Sequence, residues 1–169
     1  MTEDEILALP YRPCVGVVVQ NADGLVWAGR RIDNPSKDGK TAWQMPQGGV
    51  DEGEAPRAAA FRELTEETSI PANAVTLIGE MDEWIPYDLP HDLVPKLWKG
   101  RFRGQTQKWF LLRFTGDDSD IDIATEHQEF GEWRWAALSE LVEMAIDFKR
   151  DTYRQVVAAF IDHFPEEAR

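Results

Sequence analysis

The chain holds a single cysteine, Cys14, so no internal disulfide can form, and the apolar run around it predicts a buried structural thiol. Cations are also scarce. Eighteen Lys and Arg against 31 Asp and Glu leave a formal charge of −13, which excludes a broad basic surface for gripping nucleic acid along its backbone. A small polyphosphate ligand is compatible with that balance, because a metal and a few local cations suffice to hold one. No apolar run approaches the roughly 20 residues of a membrane span. The amino terminus, Met1-Thr2-Glu3-Asp4-Glu5, lacks the basic segment and apolar core of a secretory signal. These absences predict a cytoplasmic monomer with no membrane partner. Repeats, low-complexity tracts and linkers are missing too, and 169 residues at 43% hydrophobic content suit one domain spanning 1–169, with a core over about 11–164.

What is present centres on Gly48-Gly49-Val50-Asp51-Glu52-Gly53-Glu54, followed by Arg62-Glu63-Leu64-Thr65-Glu66-Glu67. Pro56 suits a first helical turn, so the spacing predicts a helix from about 55 to 68 after a tight glycine turn. With Glu63 placed at zero, Glu66 and Glu67 fall at about 300° and 40°, and Ala58, Phe61, Leu64 and Thr68 fall on the opposite arc. Such a pattern usually marks a solvated outer face. Here no lysine interleaves, each like-charged pair costs roughly 0.2–0.5 kcal/mol, and acids in the last turn oppose the helix dipole. A divalent cation held by these hard oxygens would reverse both effects.

Along the chain, 11–20 reads as a buried strand, 21–24 as a turn, and 25–31 as its hairpin partner. Residues 35–40 read as a polar loop whose two lysines are solvated, and Pro46 keeps Gln44-Met45 extended before the glycines. A strand follows over 76–83. The segment 84–90, with two prolines among large apolar residues, reads as a shaped loop. Residues 105–115 form a strand with Lys108, Phe110 and Leu112 on one face and Trp109, Leu111 and Arg113 on the other. Asp117-Asp118-Ser119-Asp120 is a solvated turn and 126–131 a loop. A short strand covers 132–135, and helices cover 138–145 and about 149–164, the last with a core stripe of Tyr153, Val156, Val157, Phe160 and Ile161. The mixture predicts an α/β domain with a mixed sheet between helices. Trp43, Trp109, Trp133 and Trp135 are assigned to packing.

The spacing from Gly48 through Glu54, Arg62-Glu63, Glu66-Glu67 and Ile70 resembles the signature of the Nudix hydrolases. Ser69 departs from the pattern, standing where the family has glycine just past the helix end. Outside the motif, Tyr11-Arg12-Pro13, Trp43-Gln44-Met45-Pro46-Gln47, Tyr87-Asp88-Leu89-Pro90, Gln107-Lys108-Trp109-Phe110 and Phe148-Lys149-Arg150 look like one branch of that family. The branch comprises dinucleoside polyphosphate hydrolases and RNA 5′-pyrophosphohydrolases. The resemblance implies a Nudix-type α/β/α sandwich. It further implies that Mg²⁺, or Mn²⁺ in its place, is held by Glu63, Glu66, Glu67, Glu129 and the Gly48 carbonyl, with Glu67 or Glu129 as the base. Arg62 and Glu54 would be structural. Tyr87, Lys108, Arg12, Arg31, Phe148 and Lys149, with Gln44, Gln105 and Gln107 ranked lower, would contact a nucleotide substrate.

Three functions follow from that reading. The first is hydrolysis of dinucleoside polyphosphates such as diadenosine tetraphosphate to ATP and AMP, favoured by the long 32–42 loop and the Tyr87-Asp88-Leu89-Pro90 segment. The second is removal of pyrophosphate from triphosphorylated RNA 5′ ends. The third is a nucleotide sensor without turnover, disfavoured because none of Glu63, Glu66, Glu67 and Glu129 is missing.

Overall fold

A computed structural model describes residues 1–33 and 43–169, so the polar loop expected over 35–40 lies outside the described residues. The chain opens on a short helix ahead of the expected core, α1 (Glu3–Leu7). Thr2 and Glu5 close it reciprocally: the Glu5 N–H donates to the Thr2 hydroxyl at 3.2 Å and the Thr2 N–H donates to the Glu5 carboxylate at 2.7 Å. Its Ile6 is buried against Tyr87, Leu89 and Val94.

The strands are β1 (Tyr11–Gln20), β2 (Val26–Arg31), β3 (Trp43–Gln44), β4 (Gln47–Gly49), β5 (Val75–Glu80), β6 (Ile85–Asp88), β7 (Gly104–Phe114) and β8 (Phe130–Ala136), and all belong to one sheet. Helix α2 (Pro56–Thr68) follows β4, and α3 (Leu141–Met144) and α4 (Arg150–Phe160) follow β8. β1 runs parallel to β7 from Tyr11↔Gly104 to Gln20↔Arg113, and the remaining pairs are antiparallel. Because β1 and β7 are covered on both faces, their apolar residues run almost unbroken. Val15, Val17, Val19, Phe110 and Leu112 pack with Ala59, Ala60 and Leu64 of α2. Val18, Trp109 and Leu111 pack on the other face with Tyr153, Val156 and Phe160 of α4. Each such fully buried aliphatic side chain contributes about 1.5–3 kcal/mol. The result is the expected α/β/α sandwich with a mixed sheet between helices.

Several expected elements are redrawn. The 11–20 and 25–31 strands meet only at Gln20↔Val26, because β1 is taken up by β7 and β4. The shaped loop at 84–90 contains a regular strand, β6, in which Ile85 and Tyr87 are buried while Pro86 and Asp88 are exposed. Pro86 is tolerated because, among the described residues, β6 pairs only with β7. The last helix is shorter than expected, ending at Phe160 and passing into a 3-10 turn.

Ser69 takes the left-handed cap of α2, with φ 65° and its N–H donating to the Thr65 carbonyl at 2.9 Å. Its hydroxyl donates to the Asp122 carbonyl at 2.7 Å, while the Asp122 N–H donates to Thr68. The serine thus ties the helix end to a distant segment, offsetting a backbone cost of roughly 1–2 kcal/mol. Ser69→Ala keeps that cost and loses the bond, so it should lower stability by about 0.5–1.5 kcal/mol, whereas Ser69→Gly should be near neutral. Thermal melts of the two variants check this ordering.

Candidate active site

The pairing of Gln47, Gly48 and Gly49 with Cys14, Val15 and Gly16 brings the glycine turn alongside α2. Gly48 is required there by contact, since a Cβ at that position would overlap the Glu63 carboxylate. Arg62 organises the acids. Its Nε and Nη2 donate to Glu54 at 2.8 and 2.9 Å, its Nη1 donates to Glu63 at 2.9 Å and to Glu66 at 3.3 Å, and its Nη2 also donates to the Gly49 carbonyl at 2.8 Å. Those bonds hold the Glu54 carboxyl down at about 2 and raise the guanidinium's own proton affinity.

The helical arc of carboxylates is not one solvated face. Glu66 is exposed, Glu63 is half-buried, and Glu67 is buried at 4% exposure, while Ala58, expected on the inner arc, is exposed. The reason is β4, which covers the helix at Glu67, so that the Gln47 N–H donates to Glu67 Oε2 at 3.3 Å. Among the described residues, Glu67 Oε1 is buried without a partner. Burial, then the charges of Glu129 and Glu63, pushes the Glu67 pKa well above the ordinary value. Burial likewise raises Glu63, partly opposed by Arg62. Glu129 arrives from the segment before β8, anchored by the Ile32 N–H donating to its carbonyl at 3.0 Å.

This set fits a hard divalent cation: all donors are carboxylate or carbonyl oxygens, one buried oxygen is unpartnered, and the glycine leaves room for close approach. Among the described residues, no three acidic, histidine or cysteine side chains already converge on one ion-sized point. Arg62 is the cation that Glu63 and Glu66 now face.

Beside the acids lies a cavity of about 410 Å³. Glu63, Glu129 and Gly48 line it, together with the cations Arg12, Arg31 and Lys149. Arg12 lies over the Trp98 ring at 5.3 Å and against Gly49. The Arg31 guanidinium is paired with Asp33 at 2.7 Å. Lys149 is buried and donates to Gln44 Oε1 at 2.9 Å. Burial, then the charge of Arg31, brings its pKa down to about 8. Cys14 is a buried thiol as expected, pushed up to about 11 by burial.

The expected residues Arg12, Arg31, Gln44, Gly48, Glu63, Tyr87, Glu129, Phe148 and Lys149 all line the cavity, with Glu67 behind its wall and Glu66 outside it. Tyr87 is not an open stacking platform: it is 8% exposed and packs on Phe148 at 5.9 Å between centroids. Phe148 is the more accessible ring of the pair. Lys108 is not brought to the cavity. Strand alternation turns it to the α2 side of β7, where it pairs with Glu80 at 3.5 Å, whereas Gln105 on the opposite face lines the cavity. Trp98, Gln47 and Ile146 were missed. Trp98 and Lys99 hold positive φ angles of 47° and 59°, a backbone state that no local sequence signal announces. Gln47 was legible as the neighbour of the glycine turn.

Comparison with known proteins gives a consistent result. A family described as NUDIX domain matches residues 10–160. The RNA pyrophosphohydrolase of Roseobacter denitrificans is 59% identical over 163 residues, covering 96% of this chain and 99% of that protein. That of Novosphingobium aromaticivorans is 54% identical over 160 residues, covering 94% and 98%. Among solved structures, E. coli dihydroneopterin triphosphate pyrophosphohydrolase superposes with a TM-score of 0.66 at 24% identity, over 88% of this chain and 98% of that one. A C. elegans Ap4A hydrolase does so with 0.64 at 23%, over 90% and 99%. These two likenesses establish the fold.

Proposed function

The chain belongs to the Nudix family, and on that premise we propose that it is an Mg²⁺-dependent RNA 5′-pyrophosphohydrolase. The observation carrying this reading is near-full-length identity of 59% to a protein named for that activity. It reverses the order expected from sequence. Most of the 32–42 loop lies outside the described residues, and Tyr87 is packed into a wall, so neither feature supports the dinucleotide reading further.

The site suits the chemistry. Glu63, Glu66, Glu67, Glu129 and the Gly48 carbonyl would hold the metal, whose role is to neutralise phosphate oxygens and acidify a bound water. Arg12, Arg31 and Lys149, which line the same cavity, would bind the phosphate charge. Water attacks phosphorus, the P–O bond to the leaving pyrophosphate breaks, and a 5′-monophosphate remains on the RNA. The proton released from the water passes to a carboxylate. Glu67, whose buried oxygen favours the protonated form, and its neighbour Glu129 share that task.

A comparison of kcat/KM on a short 5′-triphosphate RNA and on diadenosine tetraphosphate tests the proposal. RNA should be preferred by at least about tenfold, a difference of roughly 1.4 kcal/mol in transition-state binding. A preference for the dinucleotide would restore the other reading.

Lys149 gives the reaction an alkaline limit. A pKa lowered to about 8 leaves it cationic below that pH and neutral above, so kcat/KM should fall as pH rises through about 8. In Lys149→Gln that descending limb should vanish from the pH profile, on top of a lower plateau.

A further inference from the structure

The negative charge of the chain is unevenly spread. No acidic residue occurs between Asp92 and Asp117, and six of the 18 cations fall there. The segment joining β6 to β7 carries Lys96, Lys99, Arg101 and Arg103 around Trp98 and Phe102. Arg103 is already committed, donating to Asp88 at 2.7 Å and to the Leu7 carbonyl at 3.1 Å. Lys96, Lys99 and Arg101 are exposed, and among the described residues none of the three pairs with a carboxylate.

This strip is continuous with the cavity, which Leu97 and Trp98 line. Arg12 lies against Gly49 and over the Trp98 ring at 5.3 Å, Trp98 meets Phe102 at 6.2 Å between centroids, and Arg101 lies over Phe102 at 5.7 Å. Cations and rings thus form a row from the glycine turn to an exposed outer end. The backbone under it is strained: Trp98, Lys99 and Gly100 hold consecutive φ angles of 47°, 59° and 70°. The bend is held by the Gly100 N–H donating to the Leu97 carbonyl at 2.9 Å and the Arg101 N–H donating to the Trp98 carbonyl at 3.3 Å.

We propose that the 96–102 strip is the path along which the RNA chain leaves the active site, with its phosphates on Lys96, Lys99 and Arg101 and its bases against Trp98 and Phe102. Cations interleaved with aromatic rings suit a single strand, because every base has a face to stack and every linkage a charge. The rest of a protein with a formal charge of −13 repels those phosphates, which confines the strand to this strip. The inference rests on the proposed RNA substrate and adds how the chain beyond its 5′ end is held.

The test is the combined variant Lys96→Gln, Lys99→Gln and Arg101→Gln. All three residues are exposed and outside the cavity lining, so the fold should be kept. KM is measured on a 5′-triphosphorylated octamer and on a dimer of the same RNA. At about 50 mM salt the wild type should show a KM about tenfold lower on the octamer, with a salt dependence of log KM steeper by about 2, or about 0.7 for each of three phosphate contacts. In the combined variant the two lengths should agree within about twofold and the extra slope should vanish, with kcat changed by less than about twofold. A charge-matched control, Arg57→Gln with Arg154→Gln and Arg169→Gln, removes three exposed cations elsewhere and should keep the length advantage. Equal KM for both lengths in the wild type, or equal losses in the two combined variants, would overturn the path. Anisotropy titrations with labelled 5′-monophosphate octamer and dimer in chelator read the same length ratio without turnover. That ratio intact in a wild type that leaves triphosphorylated RNA uncleaved would sink the proposed function and keep the strip as an RNA surface; cleavage with no length advantage would sink the strip alone.

Discussion

Glu67→Gln is expected to lower kcat by about 10²–10⁴-fold while leaving the metal-free protein at least as stable as the wild type. The two halves have one cause. Glu67 is enclosed by α2 and β4 with one oxygen unpartnered and with Glu129 and Glu63 close enough to raise its proton affinity. An ionised carboxylate there is unfavourable for the empty protein, since burial without a compensating partner costs several kcal/mol. Glutamine has nearly the same shape, still accepts from the Gln47 N–H, and carries no charge to desolvate. What it loses is the capacity to ligate a hard cation or accept a proton. In the wild type, the raised pKa means that the folded state binds more protons than the unfolded chain. Metal-free stability should therefore be fullest below the ordinary carboxylate value of 4.5 and decline as pH climbs through the raised one. The variant should lose that slope. Melting curves in chelator across pH, with steady-state rates in Mg²⁺, decide the matter; a variant that keeps activity within tenfold would remove Glu67 from the chemistry.

How far this site could be read beforehand depends on how local each cause is. The helix limits near 55 and 68 follow from Pro56 and from the loss of pattern after Thr68, and both are local. That Glu63, Glu66 and Glu67 share an arc follows from helical geometry. Which of them is buried does not, because it depends on β4 crossing the helix, a contact between segments 20 residues apart in the case of Gln47 and Glu67. Glu129 was reachable only through the family resemblance. For Lys108 the alternation of β7 was correct, but nothing local says which face carries the cavity. Trp98 combines both difficulties, a left-handed backbone and a cation from a distant strand stacked on it.

Arg62→Ala should destabilise the protein by about 2–4 kcal/mol, a little below the value for a fully buried ion pair because the guanidinium is 28% exposed. For a chain of this length that corresponds to about 5–15 °C in Tm. The size follows from what is left behind. Glu54, Glu63 and Glu66 would face one another with no cation, and the Gly49 carbonyl would lose its donor. Arg62→Lys should recover only part of the loss, since a single ammonium cannot span Glu54 bidentately while also reaching Glu63. The same vacancy changes the response to metal. An acidic cluster without its guanidinium attracts a divalent cation more strongly, and any ligand that binds only the folded state stabilises it in proportion to occupancy. Added Mg²⁺ should therefore raise the Tm of Arg62→Ala by more than that of the wild type, although activity stays low because the glutamates are no longer held in register. Scanning calorimetry over an Mg²⁺ titration against a chelated control measures both effects. An equal or smaller Mg²⁺ shift in the variant would mean that Arg62 and the metal do not compete for the same carboxylates, and the metal would then have to sit on Glu67 and Glu129, away from the guanidinium.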